Sequence, residues 1–358
     1  MKSYSILNIV MAKVWGGGEQ YVYDTAKALV NNCNNVYIAI DAHNNLLKRK
    51  YEEIVEVIGC DLYHLAGLMS LFSLVSFIKL HNIEFIQCHS GHGVFLCLLL
   101  KFLTGAKLVV FKHNALPSKH DWYHKWQRKH VDAYVCVSQL VYDLQIKGLS
   151  KNEQRKFHLV HNGIDVSKFY KTRAEDRAVF CIGYAGRITR DKGLDVLLEA
   201  FNRFAQVYPN TKILFAGSDD KNYLDKVLEY IHKNNLNDKI ELLGHVNDMD
   251  AFYKSLDVFV LPSVVREAFG LVLCEAMYCE LPVITTDSGA QGEIISDGVD
   301  GYIVKKNSVE ALFEAIIRLY INHEERRKLG RNAKKKIENN FTMKQYLIKI
   351  NNLYDSLI

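Results

Sequence analysis

Phe180-Cys181-Ile182-Gly183-Tyr184-Ala185-Gly186-Arg187-Ile188-Thr189-Arg190-Asp191-Lys192-Gly193 holds the unit from which the fold is read. The apolar run Phe180–Ala185 stops at a glycine and passes through a basic loop. It then opens into Leu194–Tyr208, whose apolar residues recur at helical spacing. Strand, loop and helix in that order begin a parallel α/β layer, and the chain repeats the pattern in both directions. Downstream the apolar runs are Lys212–Phe215, Ile240–Leu243, Val258–Leu261, Val283–Thr285 and Tyr302–Val304, with helical segments Tyr223–Asn234 and Gly270–Tyr278 among them. Upstream they are Tyr4–Val10, Val36–Ile40, Glu84–Cys88, Lys107–Phe111, Ala133–Val137 and Phe157–Val160, alternating with helices such as Glu19–Val30, Leu68–Leu80 and Val94–Leu103. Strands buried on both faces read as continuous apolar runs, so two parallel sheets are predicted.

The series restarts at Phe180, and 358 residues suit two domains. We expect two Rossmann-like domains facing a cleft: residues 1–165, completed by a C-terminal helix at 342–358, and residues 166–341. The joining stretch Ser167-Lys168-Phe169-Tyr170-Lys171-Thr172 is polar without being Gly/Ser-rich, which predicts a short hinge. The segment from Ser308 to Ile358 is helical in pattern, with charge runs at Glu324–Lys328 and Lys334–Lys336 that suit a solvated face.

Composition narrows the function. Apolar residues at 49% and charged residues at 24% describe a globular protein, and a net charge of +5 is too small to mark a nucleic-acid binder. The charge is unevenly placed: residues 1–165 hold 18 Lys and Arg against 13 Asp and Glu, whereas the remainder holds 27 of each. The 8 cysteines show no metal-ligand spacing and read as buried thiols of a reducing compartment. No apolar run reaches the roughly 18–20 residues of a membrane span. No secretory signal opens the sequence. We therefore expect a cytoplasmic protein whose membrane contact, if any, is peripheral at the inner face of the cell membrane.

Two loops carry candidate chemistry. In Pro262-Ser263-Val264-Val265-Arg266-Glu267-Ala268-Phe269-Gly270-Leu271-Val272-Leu273-Cys274-Glu275, a strand ends, a loop offers Glu267, and a glycine opens a helix bearing Glu275. The first-turn amides of such a helix lack internal partners and suit a phosphate or a polar sugar face. Glu275, inside an apolar helix, needs hydrogen-bond donors, and the vicinal hydroxyls of a ribose would serve. Arg187 and Lys192 follow another strand, and a planar fork with a point charge can cradle a diphosphate. Ligands of open parallel sheets sit beyond the carboxyl ends of the strands, so both loops should face one crevice. A purely structural role for each loop stands beside these readings.

The order GRxxxxKG at Gly186–Gly193, then E-x7-E at Glu267 and Glu275, resembles the retaining GT-B glycosyltransferases of the family 4 type, which transfer sugars from nucleotide donors. Trp15-Gly16-Gly17-Gly18-Glu19, His161-Asn162-Gly163-Ile164-Asp165 and Asp297-Gly298-Val299-Asp300-Gly301 resemble further signatures of that family, so the likeness spans the chain. It implies that Arg187 and Lys192 neutralise the donor diphosphate and that Glu275 holds the ribose. It also implies that Glu267, with the amides at Phe269, Gly270 and Leu271, holds the transferred sugar. Gly16 and Gly17 would bring backbone N–H groups to the phosphate, and His113 would stand beside the sugar. The region Leu243–Val246 falls loosely where the family meets the base. His89 and His92 are acceptor-side candidates. No metal and no cofactor beyond the nucleotide-sugar is expected. Retention is usually attributed to same-face attack, with the leaving phosphate taking the acceptor's proton; no carboxylate nucleophile is identifiable.

The acceptor belongs to the first domain in this family, and that half carries the charge surplus. Lys119-His120-Asp121-Trp122-Tyr123-His124-Lys125-Trp126-Gln127-Arg128-Lys129-His130 would place Trp122 and Trp126 on one helix face flanked by Lys125, Arg128 and Lys129. This Lys119–Arg128 region suits an anionic membrane surface; the alternative is that the tryptophans pack inward. The expected reaction moves a hexosyl or N-acetylhexosaminyl group from a nucleotide-sugar, foremost a UDP-sugar, to a surface-polysaccharide, lipopolysaccharide or lipid-linked acceptor. The competing readings are a nucleotide-sugar epimerase, a nicotinamide-dependent oxidoreductase with Asp41 as its ribose acid, and a non-catalytic sugar-binding protein. The oxidoreductase leaves Arg187, Lys192, Glu267 and Glu275 without a task, and Gly16-Gly17-Gly18 is not its GxGxxG loop.

Overall fold

The computed structural model describes residues 2–12, 15–61, 67–170, 178–217 and 221–358. Lys171 and Thr172 of the expected hinge lie outside these. The chain divides into two compact units, residues 1–165 with 343–358, and residues 166–342.

Among the described residues the first unit contains seven strands: β1 (Ser5–Val10), β2 (Asn35–Asp41), β3 (Glu56–Cys60), β4 (Phe85–Cys88), β5 (Lys107–Lys112), β6 (Ala133–Cys136) and β7 (Phe157–Leu159). They form one parallel sheet in the order β3-β2-β1-β4-β5-β6-β7. Every residue of β1, β4 and β6 is buried, which is why these strands read as unbroken apolar runs. The helix Met343–Leu357 is part of this unit. Its Tyr354 stacks on Phe85 with ring centroids 4.3 Å apart, and the Met343 N–H donates to Ile164 O at 2.9 Å.

The second unit contains β8 (Phe180–Ala185), β9 (Thr211–Ala216), β10 (Ile240–Gly244), β11 (Val258–Leu261), β12 (Val283–Thr286) and β13 (Tyr302–Val304). These form a parallel sheet in the order β10-β9-β8-β11-β12-β13. In both units the strand order reverses at the first strand, between β1 and β4 and between β8 and β11. Such a reversal separates the loops at the carboxyl ends of the two strands and opens a crevice there.

The helix Leu194–Val207 buries Leu194, Leu197, Leu198, Phe201 and Phe204, each contributing about 1.5–3 kcal/mol by burial. Gly193 starts it with φ +72°, and a Cβ there would lie 2.0 Å from Pro262 O, so only glycine brings the loop after β8 this close to the loop after β11. All eight cysteines are free thiols. Among the described residues no helix is long and apolar enough to cross a membrane.

Candidate functional site

In the second unit the loops after β8 and β11 are built against each other. Val264 N–H donates to Asp191 O at 3.1 Å, and the buried Tyr184 hydroxyl donates to Arg187 O at 2.7 Å. Burial, with Glu267 and Asp191 nearby, holds the Tyr184 hydroxyl well above the usual phenol range, so it remains a donor. On this frame Lys192 Nζ stands 2.5 Å from Glu267 Oε1, with the side chains only 16% and 15% exposed. Ser263, fully buried, donates its hydroxyl to the same Oε1, and its own carbonyl accepts from Thr286 Oγ1. Oε2 of Glu267 takes no hydrogen bond from the described residues.

The backbone of Glu267 is equally constrained. Its carbonyl accepts from Ala290 N–H at 2.9 Å, and a Cβ on Gly289 would lie 2.4 Å from Glu267 N and O. A carboxylate so buttressed cannot drift without unpicking both loops. Arg187, by contrast, is 67% exposed and lies 3.9 Å from Asp191, a separation of little energetic weight in water.

Glu275 lies on the helix Leu271–Tyr278, which Gly270 opens at φ +123°. Its Oε2 accepts from the Tyr253 hydroxyl at 2.7 Å, a donor from a helix 22 residues earlier that no local sequence pattern marks. Burial and the neighbouring Glu275 keep Tyr253 protonated far above the usual phenol range. The first hydrogen bond of the helix runs from Leu273 N–H to Gly270 O, so the amides of Gly270 and Leu271 precede it. The Phe269 side chain is buried, its ring 5.8 Å from that of Phe341.

In the first unit Gly16 caps the helix Gly17–Asn31 in extended backbone. Burial pushes the Glu19 carboxyl above its usual value, against a smaller downward pull from the nearby backbone N–H groups of Glu19 and Gly16. A Cβ on Gly17 would meet nothing within 4 Å, so the fold around it does not demand glycine. Asp41, the ribose acid of the oxidoreductase reading, accepts from His43 N–H at 2.8 Å in a local turn.

His113 follows β5 and His89 follows β4, and the structure brings them together: His89 Nδ1 is 3.1 Å from His113 Nε2. His92 is exposed in the single turn Gly91–Gly93. No group of three or more His, Cys, Asp or Glu side chains among the described residues could hold a metal ion.

The basic segment departs from expectation at Arg128. The helix Trp122–His130, capped by Asp121, turns Gln127 and Arg128 inward. Arg128 is 4% exposed, its Nε 3.0 Å from Glu153 Oε1 and its Nη1 donating to Lys119 O at 2.7 Å. It therefore cannot flank an exposed aromatic face; Glu153 draws it into the unit. Lys119, Lys125 and Lys129 do remain exposed. The tryptophans divide, with Trp122 79% exposed and Trp126 half-buried among Phe95, Phe102, Tyr123 and His130.

Comparison with known proteins identifies the family. Residues 165–336 match the model described as glycosyl transferases group 1, and residues 15–168 match glycosyltransferase family 4. The capsular polysaccharide biosynthesis glycosyltransferase CapM of Staphylococcus aureus is 33% identical over 204 residues, 57% of this chain, and the match spans about half (52%) of CapM. The UDP-Gal:alpha-D-GlcNAc-diphosphoundecaprenol alpha-1,3-galactosyltransferase of Escherichia coli is 24% identical over 81% of this chain and 80% of its own. Among solved structures, Anabaena Alr3699/HepE in complex with UDP and glucose superposes with a TM-score of 0.85 at 18% identity, covering 99% of this chain and 100% of that one. A glycosyltransferase from Rickettsia africae gives 0.87 at 22%, covering 100% and 99%. The chain belongs to the group 1 glycosyl transferases of the family 4 type and has their GT-B fold of two Rossmann-like domains.

Proposed function

We propose that the protein transfers a hexosyl or N-acetylhexosaminyl group, with retention, from a UDP-sugar to a surface-polysaccharide, lipopolysaccharide or lipid-linked acceptor. The observation that carries this reading is the buttressed Lys192–Glu267 pair at the carboxyl ends of β8 and β11. Lys192 and the exposed Arg187 neutralise the diphosphate, so its departure costs less. Glu275 receives the ribose hydroxyls. Glu267, with the amides of Phe269, Gly270 and Leu271, holds the transferred sugar, and Gly16 and Gly17 contribute backbone N–H groups to the phosphate. The HepE complex with UDP and glucose and the E. coli enzyme named for UDP-Gal support a UDP donor.

In the reaction the bond from the anomeric carbon to the phosphate oxygen breaks and a bond to the acceptor oxygen forms on the same face. The acceptor's proton goes to the leaving phosphate. Residues of the protein position and stabilise charge, and His113 stands beside the sugar. Two positive side chains supply the neutralisation, and we propose no metal and no further cofactor.

The first unit is the proposed acceptor side, with His92 as a candidate contact, and membrane contact would be peripheral; His89, expected beside it, has both ring nitrogens turned to Asn8 and His113 instead. Trp122, Phe95, Phe102 and Leu103 are exposed apolar residues in or near the segment that also exposes Lys119, Lys125 and Lys129. Interfacial aromatics beside lysines suit the headgroup layer of an anionic bilayer.

A thermal-shift panel of UDP, GDP, ADP and NAD tests the reading. UDP is expected to stabilise the protein and to lose that effect in Lys192→Ala, and donor hydrolysis without acceptor then exposes the sugar. Stabilisation by NAD alone would overturn it.

A further inference from the structure

Asn8 lies in the middle of β1, an apolar run, and is 1% exposed. Its Nδ2 faces the Tyr37 carbonyl of β2 at 3.4 Å, which orients the amide so that Oδ1 points to the other side. There Oδ1 is 2.9 Å from His89 Nε2, and His89 Nδ1 is 3.1 Å from His113 Nε2. A neutral imidazole has one N–H and one bare nitrogen, so the first assignment dictates the rest. An amide oxygen only accepts, hence His89 Nε2 carries the proton; His89 Nδ1 is then bare, hence His113 Nε2 carries the proton. Nδ1 of His113 is left with a lone pair and no hydrogen-bond partner among the described residues.

We infer that Asn8 and His89 are positioning residues that fix His113 as its Nε2–H tautomer, so that Nδ1 meets a substrate hydroxyl as a neutral hydrogen-bond acceptor. The substrate part of this inference rests on the glycosyltransferase reading above; the tautomer part does not.

The surroundings favour neutrality. Phe111 stacks on His89 with centroids 4.6 Å apart, and Tyr21, from the helix Gly17–Asn31, lies edge-on to His113 at 4.9 Å. Tyr21 is itself held protonated by burial. Lys112 lies over the Tyr134 ring at 5.1 Å. The chain of bonds ends in an amide, where a charge-stabilising relay would end in a carboxylate. Burial pushes His113 down to about 4 and His89 well below the usual histidine value. A proton taken at Nδ1 would thus have no acid to compensate it, which sets His113 apart from a general base.

The test is long-range imidazole 15N–1H spectroscopy on the full chain labelled at histidine, with signals assigned by their loss in His89→Gln and His113→Gln. Both rings are expected as Nε2–H tautomers at neutral pH, without UDP. A proton on Nδ1 of either ring would overturn the inference whatever the enzyme does. In the transfer assay, His89→Phe is expected to lower kcat/KM about five- to tenfold, the size of one neutral hydrogen bond, with the thermal midpoint used to confirm folding. His89→Gln, whose amide oxygen can still accept from His113 Nε2–H, should recover most of it. Loss in His113→Ala with no change in His89→Phe would overturn the positioning role. Absence of any nucleoside diphosphate binding would instead remove the transferase reading and leave the tautomer result standing.

Discussion

Replacing Lys192 by methionine keeps the length of the side chain and removes its charge. Among the described residues the Glu267 carboxylate, 15% exposed, is then left with the Ser263 hydroxyl on Oε1 and no ion-pair partner. Breaking a largely buried pair from one side typically costs about 3–5 kcal/mol, because the remaining charge is stranded. The slight exposure places Lys192→Met near 3 kcal/mol, or roughly 6–12 °C in melting temperature for a unit of this size. Glu267→Gln strands Lys192 in the same way but keeps an acceptor for Ser263, so about 2 kcal/mol is expected. The double variant strands nothing and should lose about 2 kcal/mol less than the sum of the single losses, about 3 kcal/mol in all. Thermal melts of the four proteins without ligand supply the cycle. Additivity within about 0.5 kcal/mol would refute the coupling and with it the claim that the two loops are clamped by this pair.

Three further outcomes follow from the same geometry. Glu275→Ala should weaken UDP-sugar binding, whereas Glu267→Ala should chiefly lower turnover; equal loss of donor affinity in both would contradict the division of roles. Sedimentation with anionic liposomes should fall with rising salt and with Trp122→Ser or Lys125→Glu, and binding indifferent to salt would count against a membrane surface. His113 and His89 take up protons more weakly folded than unfolded, so their contribution to stability is complete above about pH 6.5 and is lost as pH falls toward 4. Each contributes a slope of up to about 1.4 kcal/mol per pH unit in that window. The double variant His89→Gln, His113→Gln should therefore show a shallower decline, and parallel melting curves would refute it.

Most of the fold was legible because parallel strands buried on both faces leave continuous apolar runs. β3, Glu56–Cys60, escaped because it is an edge strand with exposed positions and a glycine, so neither a run nor an alternation marks it. The helix Asn45–Glu52 was hidden by its polarity, with Leu47 and Tyr51 its only buried residues. In the site, Lys192, Glu267 and Glu275 stood out as charges in loops or apolar helices. Ser263 did not, since a serine after a strand is unremarkable until its partner is known. Asn8 does carry a signal in the sequence: a polar amide inside Ile6–Val10 must find partners once buried. Arg128 was misplaced because its partner Glu153 lies 25 residues away, beyond any local pattern.

In the proposed reaction the second unit holds a nucleoside diphosphate through the loop after β8 and the helix after β11. Calorimetric titration of UDP into the wild-type chain and into Lys192→Ala and Glu275→Ala tests it most directly. Stoichiometric binding is expected in the wild type, weakened at least tenfold by either substitution, about the loss of one charge-assisted hydrogen bond. UDP binding that is absent, or equally strong in all three proteins, would contradict it.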